Sequence, residues 1–207
     1  MSKPRKSAAQ PAIHETPSAP ESEAIQLIGQ KIRSLRKEKR LSLTTLAEQT
    51  GFSIGFLSQV ERDISTLSVK ALFDLSRALD VNVTYFFDAN EQNERRTGPV
   101  IRPQERRKIS FRDGIVDELL SPRACSDLEM LWTCFPPGSS SGEHGIDHTG
   151  QEAGVIITGI LELTIGEDIY LLRAGDSYGF ESTKPHRFRN PGNTDTIVVC
   201  AITPPSY

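Results

Sequence analysis

The sequence has few of the features that mark secreted or membrane-spanning chains. Its 207 residues include three cysteines, Cys125, Cys134 and Cys200, with no Cys-x-x-Cys pair. An odd, widely spaced set argues against a disulfide scaffold or a zinc ribbon and favours reduced packing cysteines. The longest apolar runs, such as 197–202, fall far short of the roughly 20 residues that a membrane-spanning helix needs. The N-terminus also lacks the apolar block of a signal peptide, so we expect a cytoplasmic protein.

Charge is distributed unevenly along a chain of ordinary globular composition, 37% apolar and 25% charged. Residues 25–87 carry nine basic and six acidic side chains, whereas residues 88–207 carry twelve and eighteen. A basic segment suits contact with DNA phosphates. Residues 1–22, rich in Pro, Ser and Ala, lack the apolar surface that would offset their ordering entropy, and we expect a disordered tail.

Residues 23–87 show a helical pattern, with apolar residues recurring at steps of three and four. Ser42, Ser53 and Ser68 each precede a further helical segment and are suited to cap its N-terminus. A glycine separates the second and third segments, and 83–87 closes the series. The pattern predicts a bundle of five helices containing a helix-turn-helix.

The segment from Ile28 to Leu79 resembles the phage-repressor-type helix-turn-helix domain of the xenobiotic-response-element (XRE) class. The resemblance rests on Ile28-Gly29, Leu41-Ser42-Leu43, Leu46-Ala47, Gly51, Ser53 and Leu57-Ser58-Gln59-Val60-Glu61-Arg62. It implies a lambda-repressor-like fold in which the third helix, 54–62, enters the major groove of operator DNA. The DNA-binding positions that it implies are Ser42, Ser53, Ile54, Gly55, Ser58 and Gln59.

These positions predict a sparse readout of bases. Gln59 is suited to the N6 and N7 edge of adenine, and Ile54 to a thymine methyl group, whereas Gly55 offers no side chain. Ser42 and Ser53 suit phosphate contacts, although helix capping alone explains both serines.

Two further positions match the family pattern, and two depart from it. Arg36 and Glu61 match a buried ion pair of the family, to which we assign a structural role only. Asp63 stands where the family usually has glycine, and Leu67 where proline is common. Aspartate tolerates the left-handed backbone conformation better than most residues, so the turn at Asp63 is expected to form.

Beyond a polar linker at 88–107, the pattern changes to short strands separated by glycine-containing turns. The expected strands are 130–135, 154–157, 161–165, 169–172, 177–180 and 196–202. This spacing is typical of an all-β sandwich or barrel.

Two motifs in this second region resemble the two halves of the cupin motif. They are His148-Thr149-Gly150-Gln151-Glu152 followed by Gly159, and Gly175-Asp176 followed by Pro185-His186 and Asn190. The resemblance implies a double-stranded β-helix barrel at 108–207, with His148, Glu152 and His186 pointing inward. Ile146 occupies the place of the first metal-binding histidine of the family.

The loss of that histidine leaves two interpretations open. His148, Glu152 and His186 still suffice for a divalent metal, with His144 or Glu143 as further candidates. Alternatively, the barrel has no cofactor and its polar residues hold an organic effector, which we favour. The effector-binding positions we expect are Glu143, His148, Glu152, Tyr178 and His186. Aromatic side chains at Tyr178, Phe180 and Trp132 suit a cationic ligand if they line the interior.

The segment from Gly142 to Gly159 and the ending 202–207 look most like the regulator subgroup that contains the putrescine-utilisation repressor. This similarity implies an amine or amino-acid-derived effector and a catabolic operon as target. The leading hypothesis is therefore a homodimeric repressor, not an enzyme, that binds double-stranded operator DNA and is relieved by an effector. The alternatives are a metal-dependent cupin dioxygenase or isomerase with an accessory DNA-binding domain, and a structural DNA-binding protein whose barrel only dimerises.

Overall fold

The computed structural model describes residues 26–86, 98–122 and 127–205, with four α-helices preceding nine β-strands. The helices are α1 (Gln26–Glu38), α2 (Leu43–Thr50), α3 (Ile54–Val60) and α4 (Val69–Ala78). The strands are β1 (Lys108–Ser110), β2 (Val116–Leu119), β3 (Glu129–Phe135), β4 (Gln151–Thr158), β5 (Ile160–Ile165), β6 (Asp168–Arg173), β7 (Ser177–Glu181), β8 (His186–Arg189) and β9 (Thr196–Thr203). The tail expected at 1–22 and Cys125 lie outside the described residues, and the linker expected at 88–107 is described only from residue 98.

The three predicted N-caps are confirmed. The side-chain oxygens of Ser42, Ser53 and Ser68 each accept a hydrogen bond from a backbone N–H of the first turn of α2, α3 and α4. Each bond satisfies one of the N–H groups that a helix start leaves without a partner. Gly51 ends α2 with a φ of 73°, a left-handed conformation that suits glycine.

The expected count of five helices is not confirmed. Within residues 26–86 the fifth segment is a three-residue 3₁₀ helix, Val83–Tyr85. Its bonds run to the residue three positions earlier, as in Phe86 N–H to the Val83 carbonyl. Such tight turns are used in short pieces, and this one places Phe86 in the core.

An ion pair joins α1 to the end of α3. The Arg36 guanidinium binds the Glu61 carboxylate through two nitrogens, with 2.9 Å between Nη2 and Oε2. A third bond, 2.8 Å long, runs from Arg36 Nη1 to the Leu41 carbonyl. Because Glu61 is only 6% exposed, removing Arg36 would leave a buried charge without its partner.

The turn after α3 accommodates Asp63 in the left-handed region, with a φ of 56°. The Asp63 carboxylate accepts a hydrogen bond of 2.8 Å from the Gly29 backbone N–H. A Cβ at Gly29 would clash with the Val60 carbonyl, so α1 and α3 approach closely because residue 29 is glycine. The substitution of aspartate for glycine at 63 therefore adds a contact between two helices.

The nine strands form two antiparallel sheets, the arrangement expected of an all-β barrel. The larger sheet has the order β1-β2-β3-β9-β4-β7, and the smaller has the order β6-β5-β8. Along β3 and β9 buried residues alternate with partly exposed ones, so one face of each strand points into the interior. Strands β1, β2 and β8 were not predicted from the sequence, because each has only three or four residues, too few for alternation to be recognised.

Helix α4 packs against the barrel. The Lys70 backbone N–H donates to the Ser141 carbonyl over 3.1 Å, and the Arg112 N–H donates to the Leu67 carbonyl over 2.6 Å. The Phe73 ring stacks on the imidazole of His148. The helical domain and the barrel thus meet at several places, one of which is His148 of the first cupin motif.

In the part of the chain that the structure describes, no helix has the length and apolar character that crossing a bilayer requires.

Candidate functional site

A cavity of about 60 Å³ lies inside the barrel. Most of its wall is apolar, including Leu131, Phe135, Val198 and Ile202. Its polar wall residues are Asp117, Thr133, Ser141, His148, Glu152, Tyr178, His186 and Cys200. An apolar cavity with a few convergent polar groups is the ordinary form of a small-molecule site.

His148, Glu152 and His186 come together in the cavity wall, as the cupin motif implied. Glu152 Oε2 lies 3.9 Å from His148 Nε2 and 3.8 Å from His186 Nε2. All three potential ligand atoms lie within 4.8 Å of one another. Each of the three residues is less than 10% exposed, so water does not screen their interactions.

Both imidazoles turn Nε2 toward this cluster. His148 Nδ1 lies 3.1 Å from the Thr149 carbonyl, and His186 Nδ1 lies 2.9 Å from the Lys184 carbonyl. A carbonyl oxygen can only accept, so Nδ1 carries the proton in each neutral ring and Nε2 is an acceptor. Burial lowers the pKa of His186, which keeps that ring neutral near pH 7. Two imidazole nitrogens and one carboxylate oxygen therefore converge as three acceptors.

Tyr178 holds the other oxygen of Glu152. Its hydroxyl donates to Glu152 Oε1 over 2.8 Å, which leaves Oε2 facing the two imidazoles. Burial and the neighbouring carboxylate raise the pKa of Tyr178 well above its usual value, so the phenol remains a donor. Gly154 stands opposite Tyr178 on β4, where a Cβ would clash with the phenol ring.

Ile146, which stands in the place of the first family histidine, is 4% exposed and lines the cavity. Its backbone exchanges two hydrogen bonds with His186, of 2.7 and 2.8 Å. The position is thus built into the site, but it contributes an apolar side chain where a fourth ligand would be.

Helix α4 supplies part of the cavity wall, a role that its sequence does not indicate. Val69 and Phe73 line the cavity beside the barrel residues. The ring centroids of Phe73 and His148 are 5.7 Å apart. The sequence shows Val69 and Phe73 only as apolar residues of an amphipathic helix, because the cavity residues beside them belong to distant strands and loops of the barrel.

Other expected effector residues are placed differently. Glu143 is exposed and lies in an open cleft outside the barrel, beside His144, Arg187 and Arg189. Trp132 alternates with the inward residues of β3 and so lies on the outer face of the sheet. Phe180 packs against His186, with 4.7 Å between ring centroids.

Three acidic or hydroxyl side chains of the interior were missed. Asp117, Thr133 and Glu129 are each at most 7% exposed, on strands β2 and β3. Their signal in the sequence is weak: each is a polar residue at an inward position of an alternating strand, which becomes visible only once the register is known.

The expected DNA-binding residues lie at the start of α2 and along α3. Ser42, Ser53, Ile54, Gly55 and Gln59 are exposed, and Ser58 is half-buried. Ile54 is 47% exposed, an unusual position for an isoleucine without a partner. The Ser65 hydroxyl donates to Gln59 Oε1 over 2.8 Å, which restricts the rotation of this side chain.

Comparisons with known proteins agree with both halves of this structure. The family profile described as "Helix-turn-helix" matches residues 32–86, and the profile described as "Cupin domain" matches residues 131–202. The HTH-type transcriptional regulator PuuR of Escherichia coli is 25% identical over 86% of this chain and 96% of its own length. The chain thus combines a helix-turn-helix domain with a cupin domain, and it is similar over most of its length to a transcriptional regulator.

Further relatives place this regulator in the same class. SutR of Escherichia coli, also named as an HTH-type transcriptional regulator, is 28% identical over 78% of this chain and 85% of its own length. SinR of Bacillus subtilis is 41% identical over 69 residues, which are 33% of this chain and 62% of SinR. A crystal structure of an HTH_3 family transcriptional regulator from Vibrio cholerae has the same fold, with a TM-score of 0.62 and 21% identity over 86% of this chain and 96% of that one.

The regulator binds DNA through its helix-turn-helix domain. The named relatives are transcriptional regulators, which agrees with the expectation that the chain is not an enzyme.

Proposed function

We propose that this regulator is a homodimeric repressor that a small amine releases from its operator by binding in the barrel cavity. The observation that carries the proposal is the convergence of His148, Glu152 and His186 on a cavity that Phe73 of α4 helps to close. The ligand site and the DNA-binding domain thus share a wall. An operator-binding repressor of this kind works in the cytoplasm.

The three acceptors specify a positively charged ligand. A protonated primary amine has three N–H donors, one for each of His148 Nε2, His186 Nε2 and Glu152 Oε2. Hydrogen bonds to charged groups are stronger than neutral ones, and the dry cavity strengthens them further. A carboxylate ligand would instead be repelled by the like charge of Glu152 and by the lone pairs of the two imidazoles.

The size of the cavity limits the effector. With about 10–15 Å³ needed for each water, a volume of about 60 Å³ corresponds to roughly four to six water molecules. We infer an effector with a similar number of non-hydrogen atoms. The apolar wall formed by residues such as Leu131, Val198 and Ile202 suits an aliphatic chain.

The response passes through α4. Phe73 contacts His148, whereas Leu72 and Leu75 on the same helix are fully buried in the core of the helical domain. A ligand that displaces Phe73 therefore shifts α4 together with the rest of that domain. In a dimer, such a shift changes the spacing of the two recognition helices, which must match half-sites about 34 Å apart.

A divalent metal is the second candidate occupant. His148, Glu152 and His186 are a ligand set that iron and related ions accept, and carbonyl bonds at Nδ1 orient both imidazoles as metal sites require. Ligands about 2.1 Å from a metal lie about 3.0–3.5 Å apart, whereas acceptors around an ammonium group lie about 4.6 Å apart. The separations of 3.8 and 3.9 Å fall between these values, so small rotations admit either occupant. The apolar Ile146 favours the amine.

On the DNA side, we assign base readout to Gln59 and Ile54 of α3. Gln59 suits adenine and Ile54 suits a thymine methyl group. Ser42 and Ser53 cap their helices and are exposed, so we assign both to phosphate contacts, together with the half-buried Ser58 of α3. Gly55 lets the backbone of α3 approach the bases closely.

For the dimer, we infer that a second copy covers strand β6. This strand is at the edge of the smaller sheet, and its Ile169, Tyr170 and Leu171 are 65%, 46% and 54% exposed. A long apolar edge strand is prone to pair with another chain. Two copies are also what a partly palindromic operator requires.

Thermal unfolding of the chelator-treated protein tests the proposal, with primary amines, amino acids and dicarboxylates added singly and divalent metals then restored. Ligand at 100 times its Kd adds about 2.7 kcal/mol of stability, which raises Tm by several degrees. We expect one amine to raise Tm without metal. A Tm that responds only after metal is restored, and then to an acid, would overturn the proposal in favour of a metal centre.

A further inference from the structure

An open cleft of about 690 Å³ lies between the helical domain and the outer surface of the barrel. Its helical wall contains the turn at 51–53, which precedes α3, and Phe56 of α3 itself. Its barrel wall contains three arginines, Arg112, Arg187 and Arg189. The cleft is much larger than the barrel cavity of about 60 Å³, so it suits a segment of a polymer better than a small metabolite. The function proposed above uses none of these arginines.

Strand β8 places two of the arginines on the outside of the barrel. Buried and more exposed residues alternate along this strand. His186 and Phe188 line the barrel cavity, whereas Arg187 and Arg189 point outward and line the cleft. Strand β8 is at the edge of the smaller sheet opposite to β6, the strand that we assign to the dimer. Pairing of a second copy with β6 therefore takes place at the far edge of the sheet from these arginines.

Main-chain hydrogen bonds hold the barrel wall of the cleft against the helical domain. The Lys70 N–H of α4 donates to the Ser141 carbonyl over 3.1 Å, and the Ser141 N–H donates to the Phe188 carbonyl of β8 over 2.9 Å. The Arg112 N–H donates to the Leu67 carbonyl, just before α4, over 2.6 Å. The arginines of the barrel thus have a defined position relative to the domain that contains α3.

The cations are the outermost charges on this face of β8. Glu162 of β5 lies 3.8 Å from Arg187 Nη2 and 3.6 Å from Arg189 Nη1. Both separations exceed the roughly 2.7–2.9 Å of a charge-assisted hydrogen bond. The Glu162 side chain is 20% exposed, whereas those of Arg187 and Arg189 are 33% and 47% exposed. The guanidinium groups therefore keep N–H donors for an acceptor that enters the cleft.

Acidic side chains limit the positive charge of the cleft. Asp74 is paired with Lys70, whose Nζ lies 2.9 Å from both carboxylate oxygens. Asp113 and Glu143 are exposed and lie in separate connections, between β1 and β2 and between β3 and β4. Because a carboxylate repels a phosphate, Glu143 provides a test of opposite sign to that of the arginines.

We propose that Arg187 and Arg189, together with Arg112, bind phosphate groups of the operator beside the half-site that α3 contacts. The partner is the sugar-phosphate backbone of double-stranded DNA, whose oxygens match the forked donors of a guanidinium group. Such contacts add to the sequence-independent part of DNA binding. The barrel then contributes directly to operator affinity, and β8 borders the cavity on one face and DNA on the other. This inference concerns DNA binding alone and does not depend on the identity of the effector.

The salt dependence of DNA binding by the full-length protein tests these contacts, measured by fluorescence anisotropy on labelled operator and on random DNA. Each phosphate contact contributes about −0.9 to the slope of log affinity against log salt concentration. We expect the double variant Arg187→Gln, Arg189→Gln to reduce the magnitude of this slope by about 1.8. Its affinity for both DNAs should fall by a similar factor, about tenfold at low salt.

A matched pair of single variants separates a local contact from overall charge. Arg173 is an exposed arginine of β6 in the same sheet, and it does not line the cleft. Arg189→Gln should reduce the magnitude of the slope by about 0.9, whereas Arg173→Gln should leave the slope unchanged.

Glu143→Gln should have the opposite effect on affinity. Removing this carboxylate should strengthen binding to both DNAs about threefold at low salt, because it removes a repulsion from the phosphates. Glu167→Gln is the control, because Glu167 is exposed in the turn between β5 and β6 and does not line the cleft. Its affinity for DNA should equal that of the wild type.

Three results would overturn the proposal. The first is an unchanged salt slope in the double arginine variant. The second is an equal change in Arg189→Gln and Arg173→Gln, because overall charge would then explain the effect. The third is a loss of affinity confined to operator DNA, which would show that the arginines read bases and do not bind phosphates.

Discussion

The Phe73 ring of the DNA-binding domain stacks on the His148 imidazole of the barrel, with centroids 5.7 Å apart and planes inclined by 27°. His148 is also one of the three acceptors that converge in the cavity. A ligand that reorients His148 must therefore disturb a side chain of α4. This contact joins the proposed effector site to the helix-turn-helix domain.

Replacing Phe73 by leucine should uncouple the two sites. Leucine keeps an apolar contact but loses the aromatic stack, which contributes about 0.5–1.5 kcal/mol beyond area burial. We expect operator affinity without effector to change less than threefold, and the effector-induced loss of affinity to fall about tenfold. Fluorescence anisotropy of labelled operator measures both quantities. The control is Tyr85→Leu, because Tyr85 is an exposed aromatic residue of the same domain. The operator affinity of this variant should respond to the effector as that of the wild type does. An unchanged effector response in Phe73→Leu would exclude this route.

How far the sequence alone predicts such features depends on how local their causes are. The caps at Ser42, Ser53 and Ser68 were predictable because each side chain bonds a backbone group three residues away. The cupin residues were found through a motif whose spacing reflects one fold. Phe73 was missed because its partner, His148, is 75 positions away, and nothing in the amphipathic pattern of α4 distinguishes a core aromatic from one at a domain interface.

The interior acids show a second limit. Asp117 belongs to a four-residue strand, too short for alternation to be recognised, and its burial follows from pairing with β3. Glu143 shows the reverse case: it is close to the motif in sequence, yet it lies exposed in an open cleft and does not line the barrel cavity. Proximity in sequence to a motif is a weaker guide than strand register.

Gln59→Ala should reduce sequence preference more than overall affinity. A bidentate contact to a base accounts for about 1–3 kcal/mol of discrimination, whereas phosphate contacts are independent of sequence. Binding to the operator should therefore weaken by roughly five- to a hundredfold, with binding to random DNA nearly unchanged. Gln104→Ala, an exposed glutamine outside the helical domain, is the matched control. Equal losses on operator and random DNA would show that Gln59 does not read bases.

Stability should fall as the pH rises, because of Asp117 and Glu129. Burial raises the pKa of Asp117 to about 7 and that of Glu129 to about 8. Between about pH 4 and pH 8 the folded state keeps protons that the unfolded chain releases, so the free energy of unfolding decreases as the pH rises. Asp117→Asn removes the part of this pH dependence that Asp117 causes. Urea unfolding at pH 5 and pH 8 measures the free energy of unfolding of both proteins. The stability of the variant relative to that of the wild type should be higher at pH 8 than at pH 5. A stability difference that does not change with pH would contradict the prediction.

Leu171→Asp should disrupt the proposed dimer without unfolding the barrel, because Leu171 is 54% exposed on an edge strand. Two facing copies of a buried aspartate would repel each other and lack partners. Light scattering should give the mass of one chain where the wild type gives two, with weaker binding to a two-half-site operator. Val100→Asp, at an exposed position outside the sheets, should remain dimeric. A dimeric Leu171→Asp would place the interface elsewhere.

The most direct measurement is operator release by the amine that stabilises the chelator-treated protein, compared between wild type and Glu152→Gln. Glutamine keeps the size of the side chain and can still accept from Tyr178, but it removes the charge that holds an ammonium group. We predict that saturating amine weakens wild-type binding to operator DNA at least tenfold and leaves Glu152→Gln unaffected, with equal affinity of the two proteins for DNA in its absence. A normal release curve for Glu152→Gln would contradict the assignment of the barrel cavity as the effector site.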